Sequence, residues 1–236
     1  MKSYSAKGDK NLLTVDKADQ FTEWMYEQIG PYLKGSILEV GSGRGTYSRK
    51  IVTEFPKSKI ILSDVDKKYV AQLSHEFKNN RRVAVRKIEL GDSNDLAGIR
   101  VKTCFALNVL EHVEKDVKAL KDIHKMLLPG GSFVVLVPAH PTLFNCLDEV
   151  AGHHRRYTKN ELTTKAEKAG FKVERIWYFN ATSILGWFVH GTILKRELIN
   201  DETIGLFNKL VPMIRFTENK ILRNTLGISL IAVLRK

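Results

Sequence analysis

A chain of 236 residues with 43% apolar content is long enough to close one α/β core and still carry an insertion. Its net charge of +12 is uneven: from Ala151 onward 15 Lys/Arg stand against 7 Asp/Glu (15 − 7 = +8), which leaves +4 for the first 150 residues and suggests an acidic substrate, nucleic acid or an anionic membrane surface as partner. Two distant cysteines, a polar start without an apolar leader and the absence of an apolar run of transmembrane length exclude a disulfide framework and predict a cytoplasmic protein without a spanning helix.

The first predicted element is an amphipathic helix over the N-terminal 35 residues. Asp16 or Asp19 is placed to cap it, Phe21, Trp24, Met25 and Ile29 form its apolar stripe, and Gly30-Pro31 closes it. Ser36 to Val40 reads as a buried parallel strand, followed by Gly41-Ser42-Gly43-Arg44-Gly45 and a helix from Thr46 to Phe55. Strand, glycine turn and helix bring backbone N–H groups to a nucleotide-like ligand. Glu39, a carboxylate just before the loop, suits a cationic ligand better than a phosphate.

A second strand, Lys59 to Asp66, ends in acid, and Asp66 is the expected N-cap of a helix over Lys67 to Phe77. Val83 to Leu90 alternates as a third strand before Gly91-Asp92-Ser93. Thr103 to Leu107 is the fourth, running into Asn108, and Glu111 to Leu128 is expected to be one helix ended by Pro129-Gly130-Gly131. Ser132 to Val137 is the fifth strand. Thr158 is expected to cap a helix from Asn160 to Ala169, followed by strands over Phe171 to Tyr178 and Gly227 to Leu234. Residues 180–226, helical, apolar and basic together, separate those last two strands.

Glu39 with Gly41, Gly43 and Gly45 resembles the first motif of class I S-adenosylmethionine (SAM)-dependent methyltransferases, an acidic residue followed by glycines at spacings two, four and six. Asp64, Asp92 and the Leu-x-Pro-Gly-Gly turn at Pro129–Gly131 repeat the later motifs in order, so the resemblance covers residues 36–138. It implies an α/β, Rossmann-like, seven-stranded sheet of order 3-2-1-4-5-7-6, with a helical cap at about 180–226 inserted before the last strand. One methyltransferase domain over 1–236 is expected: residues 1–35 as a helical lid, 36–138 as the cofactor-binding core and 139–236 as the substrate-binding part. It further implies SAM as cofactor, with Glu39, Gly41, Ser42, Gly43 and Gly45 around its methionine part and Asp64 with Val65 at the ribose. Asp92 and Ser93 fall to the adenine, and Asn108 lies under the methionine.

The segment Asp148-Glu149-Val150-Ala151-Gly152-His153-His154-Arg155-Arg156-Tyr157 is similar to one in a bacterial subgroup of these enzymes, some of whose members are joined to glycosyltransferases. On that likeness His153 is the expected catalytic residue, and His140, Arg155, Arg156 and Tyr157 the expected substrate-binding residues. No metal is expected: some methyltransferases hold an ion with E-x-x-E-H, but here Asn108, a weaker ligand, takes the first position before Glu111-His112. The acceptor class reads as a hydroxyl or amine on a small molecule, glycan or lipid-linked compound, with weak anionic-membrane association. Two readings stay open beside it: an RNA methyltransferase, against which no Pro-Pro-aromatic motif follows the fourth strand, and a non-catalytic SAM-binding protein. Nothing in the sequence speaks to oligomeric state.

Overall fold

The computed structural model describes residues 6–92, 94–222 and 224–236. Two helices, α1 (Ala6–Val15) and α2 (Asp19–Ile29), lead into β1 (Ile37–Val40), α3 (Thr46–Glu54), β2 (Ile60–Asp64), α4 (Lys67–Glu76) and β3 (Val83–Lys87). The chain continues through β4 (Val101–Leu107), α5 (Asp116–Met126), β5 (Leu127–Pro138), α6 (Cys146–Ala151), α7 (Lys159–Lys168) and β6 (Lys172–Phe179). After β6 come α8 (Ser183–Trp187), a π-turn at Phe188–Ile193, α9 (Asp201–Thr217), and finally β7 (Ser229–Arg235).

The seven strands form one sheet of order β3-β2-β1-β4-β5-β7-β6. Every pairing is parallel except those of β7, which runs antiparallel to both β5 and β6. The order reverses between β1 and β4, and the crevice at their carboxyl ends is where such a sheet binds ligands.

Two-residue periodicity divides the core. Leu38, Val40, Cys104, Ala106, Phe133 and Val135 face α5 and α7. Ile37, Leu62, Phe105, Val134 and Leu136 face the other way, against Trp24 and Ile29 of α2, Ile51 of α3, Leu73 of α4, and Val211 and Ile214 of α9. Each of these buried aliphatic side chains stabilises the fold by about 1.5–3 kcal/mol relative to exposure. Glu39 lies on the same strand face as Ile37, which turns its carboxylate toward α3 rather than to solvent.

Three local expectations are corrected. The helix from Glu111 to Leu128 is a single 3-10 turn, Leu110–His112, followed after a break by α5. The carbonyl of Glu111, which a continuous helix would use, instead accepts from the His154 amide at 2.9 Å, and Val113 is extended. Pro129-Gly130-Gly131 lies inside β5, in a register shift where Val101 pairs with Leu127 and Thr103 with Ser132. A Cβ on Gly131 would stand 2.7 Å from the Leu128 carbonyl oxygen, so glycine makes that irregularity possible. The N-cap of α2 is Ala18 without a side-chain bond; Asp16 accepts from Thr46 Oγ1 at 3.2 Å instead. Asp66 and Thr158 cap α4 and α7 as their chemistry predicts.

Candidate active site

The glycine loop after β1 forms the floor of a pocket at the reversal point. Gly41 and Gly43 have φ of 75° and 51°, the left-handed region that glycine enters without penalty. A Cβ at Gly41 would meet Val109 Cγ2 at 2.4 Å, whereas one at Gly43 would project into open space within the pocket. The amides of Gly41 and Ser42 both donate to the Ser63 carbonyl at 2.8 Å, pinning the loop to β2.

Two acids hold the loop from below. Asp64, at the end of β2, accepts from the Gly43 amide at 2.8 Å and the Asp66 amide at 2.9 Å. Burial raises its pKa, against those two bonds. Glu39 is buried and accepts from Ser48 Oγ on α3. Burial lifts its pKa to about 7, with the bonds from Ser48 and Ser42 pulling downward.

The rest of the pocket comes from Asp16 between the two N-terminal helices, Phe21, Thr22 and Met25 of α2, Thr46 and Tyr47 of α3, Leu107 at the end of β4, and Asn108, Val109 and His112 after it. The lining combines the carboxylates of Asp16, Glu39, Asp64 and Asp66 with apolar side chains. That chemistry suits a ligand with a cationic amino-acid head and a hydroxylated ring.

Beyond His112 lies a second polar group. His153 Nδ1 is 2.8 Å from Asp148 Oδ1, its Nε2 is 3.7 Å from Glu111 Oε1, and its ring stands edge-on to His112 with centroids 4.8 Å apart. Arg156 Nε donates to both oxygens of Asp148 at 2.9 Å and its Nη1 to the Ala139 carbonyl. Burial alone would raise the Asp148 pKa, but the His153 hydrogen bond and the Arg156 charge hold it below the usual range. Glu111 is fully buried, and neither carboxylate oxygen has a hydrogen-bond partner among the described residues. Burial pushes its pKa to about 7, and it lowers that of His112 to about 3.

The structure therefore gathers Glu39, Gly41, Ser42, Gly43, Asp64, Val65 and Asn108 around one pocket, with His153 one side chain removed. Gly45, the N-cap of α3, stands just outside the lining. Asp92 is exposed, away from the lining, and accepts from the Asn94 amide at 3.0 Å; Ser93 lies outside the described residues. His140 stacks on Tyr178 with its Nε2 3.1 Å from the Gly227 carbonyl. Arg155 and Tyr157 both bond Asp116, and buried Arg156 clamps Asp148. None of these four lines the pocket.

Asp16, Thr22, Tyr47 and His112 are lining residues that sequence reasoning did not single out as site residues. Besides the Asp148–Tyr157 segment, the local signal for the Asp148–His153 pair is the capping box at Asn145 and the left-handed Gly152, which fold residues 145–153 back on themselves.

The family model described as "Methyltransferase domain" matches residues 38–133. A Mycolicibacterium smegmatis protein named as a probable S-adenosylmethionine-dependent methyltransferase is 28% identical over 155 residues, 64% of this chain and 58% of its own. A malonyl-[acyl-carrier protein] O-methyltransferase of Ilyobacter polytropus is 23% identical over 68% of this chain and 63% of its own. The chain thus spans about six tenths of the length of these curated relatives. Among solved structures, a SAM-dependent methyltransferase from Mesorhizobium loti superposes with a TM-score of 0.61 at 16% identity, covering 93% of this chain and 100% of that one. The chain thus shares its sheet order and fold with solved SAM-dependent methyltransferases, and its residues 38–133 are similar to the methyltransferase domain.

Proposed function

We propose that this chain transfers the methyl group of SAM to a hydroxyl or amine of a lipid-linked acceptor presented at an anionic membrane surface. When bound, SAM supplies an electrophilic methyl carbon. Glu39 orients the loop and meets the ammonium of the methionine part, the open space over Gly43 admits the cofactor, and Asp64 offers oxygens to the ribose. Phe21, Met25 and Phe105 exclude water from the pocket. His153 is the catalytic residue of this reading, its ring set by Asp148 beside the pocket wall at His112.

The observation that carries the acceptor class is the outward side of α9. Its inward side, with Val211 and Ile214, packs on the sheet, yet Leu206, Met213 and Phe216 are 62%, 62% and 64% exposed on the opposite side. A helix that is apolar on both sides while facing solvent on one is suited to an interface. Leu185, Ile193 and Leu194 of the same cap are also exposed. Of the cap's acids, Glu197 pairs with Lys7, Asp201 with Lys17, and Glu218 bonds the backbone of Asn180 and Ala181, while Glu202 is exposed in the first turn of α9. Lys195, Arg196, Lys209 and Lys220 are exposed without an ion pair among the described residues, so positive charge borders the apolar face. No described helix is long and apolar enough to cross a membrane, which leaves the peripheral mode.

Co-sedimentation with phosphatidylglycerol vesicles tests the reading. Binding at low salt, lost at high salt and in the double variant Met213→Asp/Phe216→Asp, is expected. A protein that stays in the supernatant at low salt has a cap covering a soluble acceptor, and salt-sensitive retention on RNA instead favours the nucleic-acid reading.

A further inference from the structure

We infer that Glu111, His112 and His153 form a binding site for one divalent first-row transition-metal ion at the acceptor end of the pocket. Three observations carry it. Each residue offers one ligand atom, and the three atoms lie within 4.8 Å of one another. Atoms held about 2.1 Å from a common ion stand about 3–3.5 Å apart, so a contraction of about an ångström closes the set. His153 Nε2 and Glu111 Oε1, at 3.7 Å, are already near that spacing.

The second observation is the Glu111 carboxylate. It is wholly buried with neither oxygen hydrogen-bonded among the described residues. Buried polar atoms are almost always partnered, and an orphaned carboxylate aimed at two imidazoles requires an explanation that a cation supplies. Nearby Asp148 poses no such question, because Arg156 clamps both of its oxygens.

The third is the support behind His153. A metal-ligating histidine characteristically gives its other ring nitrogen to a carboxylate, which fixes the tautomer and aims the free nitrogen at the ion. His153 Nδ1 lies 2.8 Å from Asp148 Oδ1, and the Asp148–Arg156 pair anchors that carboxylate to the Ala139 carbonyl on the sheet. Nε2 is left facing Glu111. A structural histidine would not need its position determined this far.

The donor set decides the kind of ion. Two imidazoles and one carboxylate suit Mn²⁺, Fe²⁺ or Zn²⁺, whereas Mg²⁺ and Ca²⁺ prefer oxygen alone. Asn108 speaks against an ion when the turn after β4 is read alone; what changes the balance is His153, brought in from 41 residues beyond His112 (153 − 112) by the fold back of 145–153. Because His112 also lines the pocket over Gly43, an ion held here would border that pocket. The use of the ion to hold an acceptor oxygen rests on the methyltransferase reading; its binding does not.

Chelator-treated protein titrated with Zn²⁺ and with Mn²⁺ in a calorimeter tests the site, with X-ray absorption on the zinc-loaded sample. One ion per chain with imidazole scattering is expected, weakened at least tenfold by Glu111→Gln and by His153→Asn. Absence of stoichiometric binding, or unchanged affinity in both variants, overturns the site. SAM titrated into the same metal-free protein separates the two claims: SAM binding without ion binding removes only the ion, and ion binding without SAM binding removes only the methyltransferase reading.

Discussion

Glu39→Gln changes how stability depends on pH, and the structure sets both sign and size. In the folded chain burial raises the Glu39 pKa from 4.5 to about 7. The native state therefore holds this proton more tightly than the unfolded one. Below pH 4.5 both states are protonated and the contribution is fully present; as pH climbs toward 7 the unfolded state loses its proton first and stability falls. At about 1.4 kcal/mol for each tenfold change in proton affinity, the full loss is about 3 kcal/mol. Glutamine keeps an acceptor for Ser48 Oγ and has nothing to titrate. Urea unfolding of the cofactor-free protein from about pH 5 to about pH 8 should show wild type losing up to about 3 kcal/mol relative to the variant. A wild-type-minus-variant difference that stays constant across that range refutes the argument, since it would mean that Glu39 is ionised throughout. SAM should bind the variant more weakly, because the carboxylate proposed to meet its ammonium is gone.

Asp64→Ala should lower SAM affinity at least tenfold by calorimetry, since each hydrogen bond to a charged acceptor contributes about 1.5–3 kcal/mol; unchanged affinity removes Asp64 from the cofactor site. Gly43→Ala places its Cβ in open pocket space, so it should cost only about 1–2 kcal/mol of stability for the left-handed backbone while abolishing measurable SAM binding. Gly41→Ala adds a 2.4 Å contact with Val109 and should melt well below Gly43→Ala; equal melting temperatures contradict the packing described at Val109. Arg156→Met strands the Asp148 carboxylate in the interior and should destabilise the fold by about 3–5 kcal/mol in urea unfolding. A loss below about 1 kcal/mol would show that Asp148 reaches water.

The sheet was legible in the sequence because its signals are local. Ile37–Val40, Ile60–Asp64 and Val101–Leu107 are apolar runs between turn residues; one helix fits between the first two, and a helix and a further strand between the last two. Glu39, Gly41, Gly43 and Asp64 could be placed beside one pocket for the same reason, since each lies at or next to a strand end at the reversal of the strand order. Where competing bonds come from far along the chain, local pattern fails. Glu111–Leu128 reads as one helix, but the His154 amide takes the Glu111 carbonyl and ends the first turn before α5 begins at Asp116. Arg155 and Arg156 look like a substrate clamp until Asp116 and Asp148 are seen to hold them. Nothing in α9 distinguishes Val211 and Ile214 from Met213 and Phe216 as residue types; packing against α2 and the sheet buries one pair and leaves the other in solvent. Sequence alone therefore determined the sheet and the residues that line the pocket at the ends of β1 and β2, where residue type and strand position coincide. The meeting of Glu111, His112 and His153 was decided by tertiary contacts, because it depends on distances between residues that no periodicity relates.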